Sequence, residues 1–322
     1  MKKILKNIII GSLLLTPLVA CEQEDTSKHV AIFAYNENDV FIHELVDSLS
    51  LNLSFDYKVD VFYGENSQTT QNKQIEKALS SIKYDAFIVN LVDRMAASTI
   101  VRKTEYYNLP LVFFNREPLY KDIKDSKFAY YVGTNGKDEG REQGRLVKNL
   151  FHSKKENIKN SKYDLDLDGK LSTLILRGET GHQDTEDRTS AVIEELNDFN
   201  IKYIGVEACD WSREKGFYAV QKAVEDGKTI ELIISNNDSM AFGAIDYYTK
   251  IKEKALQMPI IIGVDGTKEG IDMVDKGFMY GTIINDIVYQ TTIIKEITND
   301  LVKKGTSAHP KTTYAPTRIY KL

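Results

Sequence analysis

The chain is short of several residue types, and each shortage closes off a class of protein. Only two of its 322 residues are cysteine, Cys21 and Cys209. No disulfide framework can staple such a chain, so its stability has to come from a buried core and any bound metal. It has no basic block and no recognition helix: 42 Lys and Arg stand against 47 Asp and Glu, a formal charge of −5. A moderately acidic chain is a poor partner for nucleic acid, so none is expected. Tryptophan occurs once, at Trp211. The one long apolar run, "NIIIGSLLLTPLVA" at residues 7–20, is too short and wrongly flanked for a stable membrane span. What remains has the composition of a soluble globular protein, long enough for two lobes that each bury a core.

Lys2, Lys3 and Lys6 precede that apolar run, which reads as an export signal over residues 1–20. It ends in "LVAC", which resembles the lipobox of bacterial lipoproteins. The resemblance implies cleavage before Cys21, acylation of its thiol, and a polar tether over 21–28. Membrane attachment would then be through lipid alone, in the periplasm or on the outer face of the cytoplasmic membrane. Cys209 would be the only thiol left.

From His29 onward, short β-rich apolar runs alternate with segments of helical period. The strand candidates are "VAIFAY", "KVDVFYG", "AFIVNLV", "LVFFN", "AYYVGT", "LSTLILRG", "IKYIGVEA", "LIISN", "IIIGVD" and "GTIIN". Between them, segments such as "DRTSAVIEELNDF" place apolar residues three and four apart. Continuous apolar strands with helical crossovers predict an α/β fold of parallel sheets covered on both faces. Ten strands are too many for one small sheet, and the pattern pauses at "YVGTNGKDEGREQG". Two doubly wound lobes joined by a multi-strand hinge are therefore expected, the first over 28–133 plus 285–311, the second over 134–284 plus 312–322.

Open α/β sheets hold ligands at the carboxyl ends of their strands. Those positions carry Asp39, Phe41, Asn115, His182, Asp184, Arg188, Trp211, Asn237, Asp265 and Asn285. Planar bidentate hydrogen-bonding groups with two aromatic rings suit a pyranose, which presents a rim of hydroxyls around two C–H faces. Separately, "DLDLDGKLS" at 164–172 has the spacing of the first two-thirds of an EF-hand calcium loop. Its twelfth position, where a bidentate Glu belongs, is Ile175. Either a distant residue completes the loop or nothing does.

The strings "YNENDVF", "NLVD", "VFFNREP", "YYVGT", "RGETGHQDTEDRT", "NNDSMAFGA", "GVDG" and "GTIIND" resemble the galactose/glucose-binding proteins of bacterial ABC transporters, type I periplasmic binding proteins. The resemblance runs in unbroken order from about Val30 to the C-terminus. It implies that Phe41 and Trp211 sandwich a sugar ring while the other eight residues bond its hydroxyls. Arg116 stands where the family leads one to expect lysine. The resemblance also implies a structural calcium ion, held by Asp164, Asp166, Asp168, the carbonyl of Lys170, Ser172 in place of the family's Gln, and Glu231 from a distant strand. The implied partners are D-galactose or D-glucose and an ABC permease, with a chemoreceptor or sensor kinase as an alternative output, and a monomer is expected.

Blander readings compete residue by residue. Asp238 could cap the helix "SMAFGAIDYY", Asp265 could shape a turn, and Asp184 with Arg188 could be a surface i, i+4 pair. Catalysis by His182 and Asp184 would need a nucleophile or paired carboxylates at defined separation. The aspartates are instead interspersed with Arg and Asn, which suits binding, so no enzyme is expected. A sugar-responsive repressor would carry a helix-turn-helix where the export signal stands.

Overall fold

The computed structural model describes residues 27–250 and 257–321. The export signal and Cys21 lie outside the described residues, as does most of the tether. Among the described residues no helix is long and apolar enough to cross a membrane.

The alternation of apolar runs and helical segments becomes two parallel sheets. The first lobe runs β1 (His29–Ala34), α1 (Val40–Leu53), β2 (Lys58–Tyr63), α2 (Gln68–Ser81), β3 (Ala86–Val89), α3 (Ala97–Tyr106), β4 (Leu111–Phe114), α4 (Tyr120–Ile123) and β5 (Ala129–Gly133). The second runs α5 (Gly136–Leu150), β6 (Leu171–Arg177), α6 (Gln183–Glu195), β7 (Ile201–Ala208), α7 (Arg213–Glu225), β8 (Leu232–Ser235), α8 (Asp238–Lys250), β9 (Ile260–Asp265), α9 (Lys268–Asp275) and β10 (Gly281–Ile284). The chain then returns through α10 (Ile287–Lys304), β11 (Thr312–Tyr314) and β12 (Arg318–Lys321).

Strand order is β11-β5-β4-β3-β1-β2 in one sheet and β12-β10-β9-β8-β6-β7 in the other. Among the described strands, β12 alone runs antiparallel to its neighbour. The central strands β3, β4 and β8 are buried along their whole length, because helices cover both faces and leave no polar side to alternate with. One face of the first sheet packs Ile32, Ile88, Val112 and Phe114 against α1 and α10, and the other packs Phe33, Phe87 and Phe113 against α2 and α3.

The expected lobe boundary needs one correction. Residues 312–314 form β11, which pairs in parallel with β5, Thr312 opposite Tyr131. They complete the first lobe's sheet at the open edge of β5, so only β12 belongs to the second lobe. The chain crosses between lobes after β5, after β10 and after β11, and these three crossings form the hinge. All ten expected strands are present.

Candidate functional site

The strand ends of both sheets meet at one cavity, lined by Asp39, Phe41 and Asn115 from the first lobe and by His182, Asp184, Arg188, Trp211, Asn237 and Asp265 from the second. Nine of the ten expected ligand-binding residues are thus brought together. Asn285 is not in that wall. It sits one layer behind, its backbone N–H donating to the Asp265 carbonyl at 2.9 Å and its Oδ1 accepting from Gln290 Nε2 at 2.6 Å. Its buried Nδ2 has no partner among the described residues.

Several of these side chains cap the helix that follows their strand. Asp39 Oδ1 accepts from Ile42 N at the start of α1, and Asn237 Oδ1 accepts from Met240 N at the start of α8. His182 Nδ1 accepts from Asp184 N, which leaves the proton of the neutral ring on Nε2 as a donor. Asn237, rather than Asp238, therefore caps α8. The carboxylate of Asp238 turns inward to Thr267 N at 3.0 Å and Thr282 Oγ1 at 2.7 Å.

Backbone strain gathers at the same place. Asn115, Trp211 and Asp265 have φ of 57°, 63° and 114°. A left-handed conformation at a bulky Trp or at Asp costs on the order of 1–3 kcal/mol and persists only where surrounding contacts over-determine it. For Trp211 the determinant is visible: its ring lies directly against the backbone of Gly178 and edge-on to His182, centroids 5.3 Å apart.

Charge is concentrated and buried. Asp184 and Arg188 are not a surface pair, since both are almost fully buried. Burial pushes the Asp184 carboxyl up to about 7 although Arg188 pulls it down. Burial likewise holds Asp265 well above the ordinary carboxyl range and keeps His182 neutral, with Arg116 and Arg188 adding to the effect. Burial opposes the charge of Arg188, but Glu139, Asp184 and Asp265 outweigh it and raise its pKa. A desolvated set of acceptors and one fixed guanidinium can satisfy a neutral polyol by donating to and accepting from each hydroxyl.

Three lining residues lie outside the expected ligand set, the apolar Ile42 and the polar Tyr35 and Arg116. Tyr35 follows β1 directly and donates its hydroxyl to Asp39 Oδ2 at 2.5 Å. The sequence reading extends the strand over it, whereas the strand ends at Ala34, which makes Tyr35 a strand-end residue by the same rule that selects the others. Arg116 stacks 3.7 Å from the Tyr35 ring, donates to the Val92 carbonyl at 2.7 Å, and reaches across the lobes to Glu179 at 3.1 Å. With Arg94 donating to Gln183, it holds the two lobes in contact beside the cavity.

The acidic loop lies elsewhere, on the second lobe. Carboxylate oxygens of Asp164, Asp166 and Asp168 lie within 4.8 Å of one another, and Asp164 Oδ1 accepts from Gly169 N at 3.1 Å. Three converging hard oxygens suit a dication. Glu231 is not part of that cluster. Its Oε1 accepts from Leu165 N at 2.5 Å and its Oε2 from Ser172 N at 2.7 Å, so it fastens the loop through backbone amides. Ser172 is buried and Lys170 exposed. Lys202 puts its ammonium 3.3 Å from Asp168 and 3.6 Å from Asp166, a cation supplied by the chain itself.

Comparison with known proteins adds a second line. A periplasmic binding protein domain model matches residues 32–306. The D-galactose/methyl-galactoside binding periplasmic protein MglB of Haemophilus influenzae is 36% identical over 283 residues, 87% of this chain and 82% of that protein. The ribose import binding protein RbsB of Bacillus subtilis is 23% identical over 66% of this chain and 61% of its own length. Among solved structures, a periplasmic solute binding protein of an ABC transporter from Actinobacillus succinogenes with bound D-allose superposes with a TM-score of 0.78 at 18% identity, covering 92% of this chain and 98% of that one. A solute binding protein from Bacillus halodurans with bound myo-inositol gives 0.77 at 20%, covering 92% and 96%. At such identities the structural matches speak for the fold alone.

Proposed function

Because the chain belongs to the periplasmic binding protein family, we propose that it is an extracytoplasmic receptor that closes its two lobes on D-galactose or D-glucose and delivers the sugar to an ABC permease. The observation that carries this reading is the cavity between the lobes. Three of its walls' polar and aromatic groups, Asp39, Phe41 and Asn115, come from one lobe, while Asp184, Arg188, Trp211, Asn237 and Asp265 come from the other. A ligand that bonds to both lobes favours the closed state by its differential affinity, and the permease then reads the closed shape. The choice of hexose leans on the 36% identity to the Haemophilus influenzae protein. Phe41 and Trp211, supplied by opposite lobes, are suited to packing on the two faces of a pyranose.

Two accessory features belong to the same proposal. Acylation at Cys21 would anchor the receptor, and replacing Cys21 with Ala should release it from the membrane fraction. Calcium would be held by Asp164, Asp166 and Asp168 with the Lys170 carbonyl; Ser172 is the loop's ninth residue, and Glu231 ties the loop to the start of β8 through the Leu165 and Ser172 amides. A bound dication would offset the repulsion of the three carboxylates and stiffen the second lobe, remote from the sugar.

The test is calorimetric titration of the chain from Glu22 onward with galactose, glucose, ribose and xylose, followed by recovery of the sugar. Saturable binding of galactose or glucose, with the sugar recovered unchanged, is the expected result. Binding of a pentose alone would overturn the pocket assignment, and a consumed sugar would overturn the receptor reading.

A further inference from the structure

Helix α5 carries a residue that reading strand ends does not select. Glu139 lies in its first turn, is fully buried, and accepts from Arg188 Nε at 2.7 Å. Arg188 Nη1 donates to the Asn236 carbonyl at 2.8 Å. Two of the three guanidinium nitrogens are thereby fixed, which leaves Nη2 for the cavity that Arg188 lines.

Nothing about α5 as a helix calls for this carboxylate. Asn135 already caps its N-terminus, and Glu139 Oε1 is buried without a partner among the described residues, an arrangement that costs stability and so calls for a reason other than folding. The approach is built in by Gly140. A Cβ there would stand 2.3 Å from the Arg188 carbonyl oxygen, so only glycine lets the α5 and α6 backbones meet closely enough for Glu139 to reach Arg188 from behind.

We propose that Glu139 is a positioning residue of the sugar site, gripping the Arg188 guanidinium on its Nε edge so that the opposite edge faces the ligand. The proposal rests on the sugar-binding reading of the cavity. It also carries an electrostatic consequence, because Glu139 competes with Asp184 and Asp265 for the charge of Arg188. The groups facing Asp184 are Arg188 on its own helix, Glu139 from α5, Arg116 and Glu117 from the turn after β4, Tyr131 from β5 and Tyr314 from β11. Removing the Glu139 charge removes a neighbour that disfavours the ionised Asp184, so the acid limb of sugar binding should move to lower pH.

The experiment compares the parent with E139A and E139Q, titrating D-galactose and D-glucose between pH 5 and pH 8 and recording thermal unfolding alongside. E139A, which leaves Arg188 unsupported, is expected to bind about ten- to a hundredfold more weakly. E139Q keeps an acceptor for Arg188 Nε, so it should recover most of that loss and shift the acid limb downward. Should E139A fail to fold, the near-isosteric E139Q decides through its pH profile alone. Parent-like affinity in E139A, or an unshifted profile in E139Q, overturns the positioning role while leaving the receptor reading intact. A parent that binds neither sugar overturns both.

Discussion

Substituting Gly178 with Ala is the sharpest probe of how the aromatic wall is built. Gly178 follows β6 with an ordinary backbone conformation, its φ outside the left-handed region, so alanine is tolerated there by the main chain. The space is not tolerant. A Cβ at this position would stand 2.2 Å and 2.3 Å from Trp211 Cη2 and Cζ2, and 2.5 Å from Thr185 Oγ1. Carbon atoms rest at about 3.5–4.0 Å, so the indole has to retreat by roughly 1.5 Å. In the free protein it can do so by swinging towards the cavity. With a sugar packed on it, the ring has nowhere to go. Overpacking of this kind costs about 1–3 kcal/mol, and here that cost falls on the bound state. The expected loss of sugar affinity is therefore about five- to 150-fold, while the contact with the buried Thr185 hydroxyl, which the indole's retreat does not relieve, lowers the melting temperature of the free protein as well. Because Trp211 is the only tryptophan, its fluorescence reports the displacement directly, and the emission maximum should shift before any sugar is added. Unchanged emission together with unchanged affinity would refute the reasoning.

Asp39 serves both the helix and the cavity, and two variants separate these roles. D39A should lose about 0.5–2 kcal/mol of stability with the α1 cap as well as binding, whereas D39N should keep the cap and melt like the parent but bind roughly tenfold more weakly or worse, as read by calorimetry. For pH, Asp184 and Asp238 titrate near 7 in the fold against about 4 in an unfolded chain. The native state thus binds more protons across that window, and the stability these groups contribute below it is lost as pH rises through 7. Sugar-free protein should melt higher at pH 5.5 than at pH 7.5, and D184N should flatten the difference; a melting temperature that climbs from 5.5 to 7.5 would contradict this. In the acidic loop, Lys202 is half-exposed and cheap to displace, so K202Q should raise calcium affinity, whereas E231Q should lower the calcium-free melting temperature by weakening the grip on Leu165 and Ser172. Calcium titrations with unfolding curves test both, and tighter calcium binding by the parent than by K202Q would count against the arrangement.

The architecture was legible because each buried parallel strand announces itself as an apolar run, and the cavity because α/β sheets put ligands where strands end. What escaped has physical causes. β11 is three residues, Thr-Thr-Tyr, with no apolar continuity, and it pairs only because β5 offers an open edge. Tyr35 was hidden by a strand boundary one residue too long. Glu139 sits in the polar string "KDEGREQ", where a glutamate ordinarily faces water, and only the close approach at Gly140 buries it. The place of Asn285 after β10 predicts a seat in the cavity wall, but its side chain turns back to Gln290. The loop's aspartates were readable from spacing, whereas the lysine beside them comes from β7 and has no local signal.

The central claim is that a hexose is held between the lobes by groups from both. A crystal structure of the chain from Glu22 onward grown with D-galactose tests it most directly. The expected result is a pyranose ring between Phe41 and Trp211, with its hydroxyls on Asp39, Asn115, Asp184, Arg188, Asn237 and Asp265. A sugar bound to one lobe only, or bound anywhere outside this cavity, would contradict it.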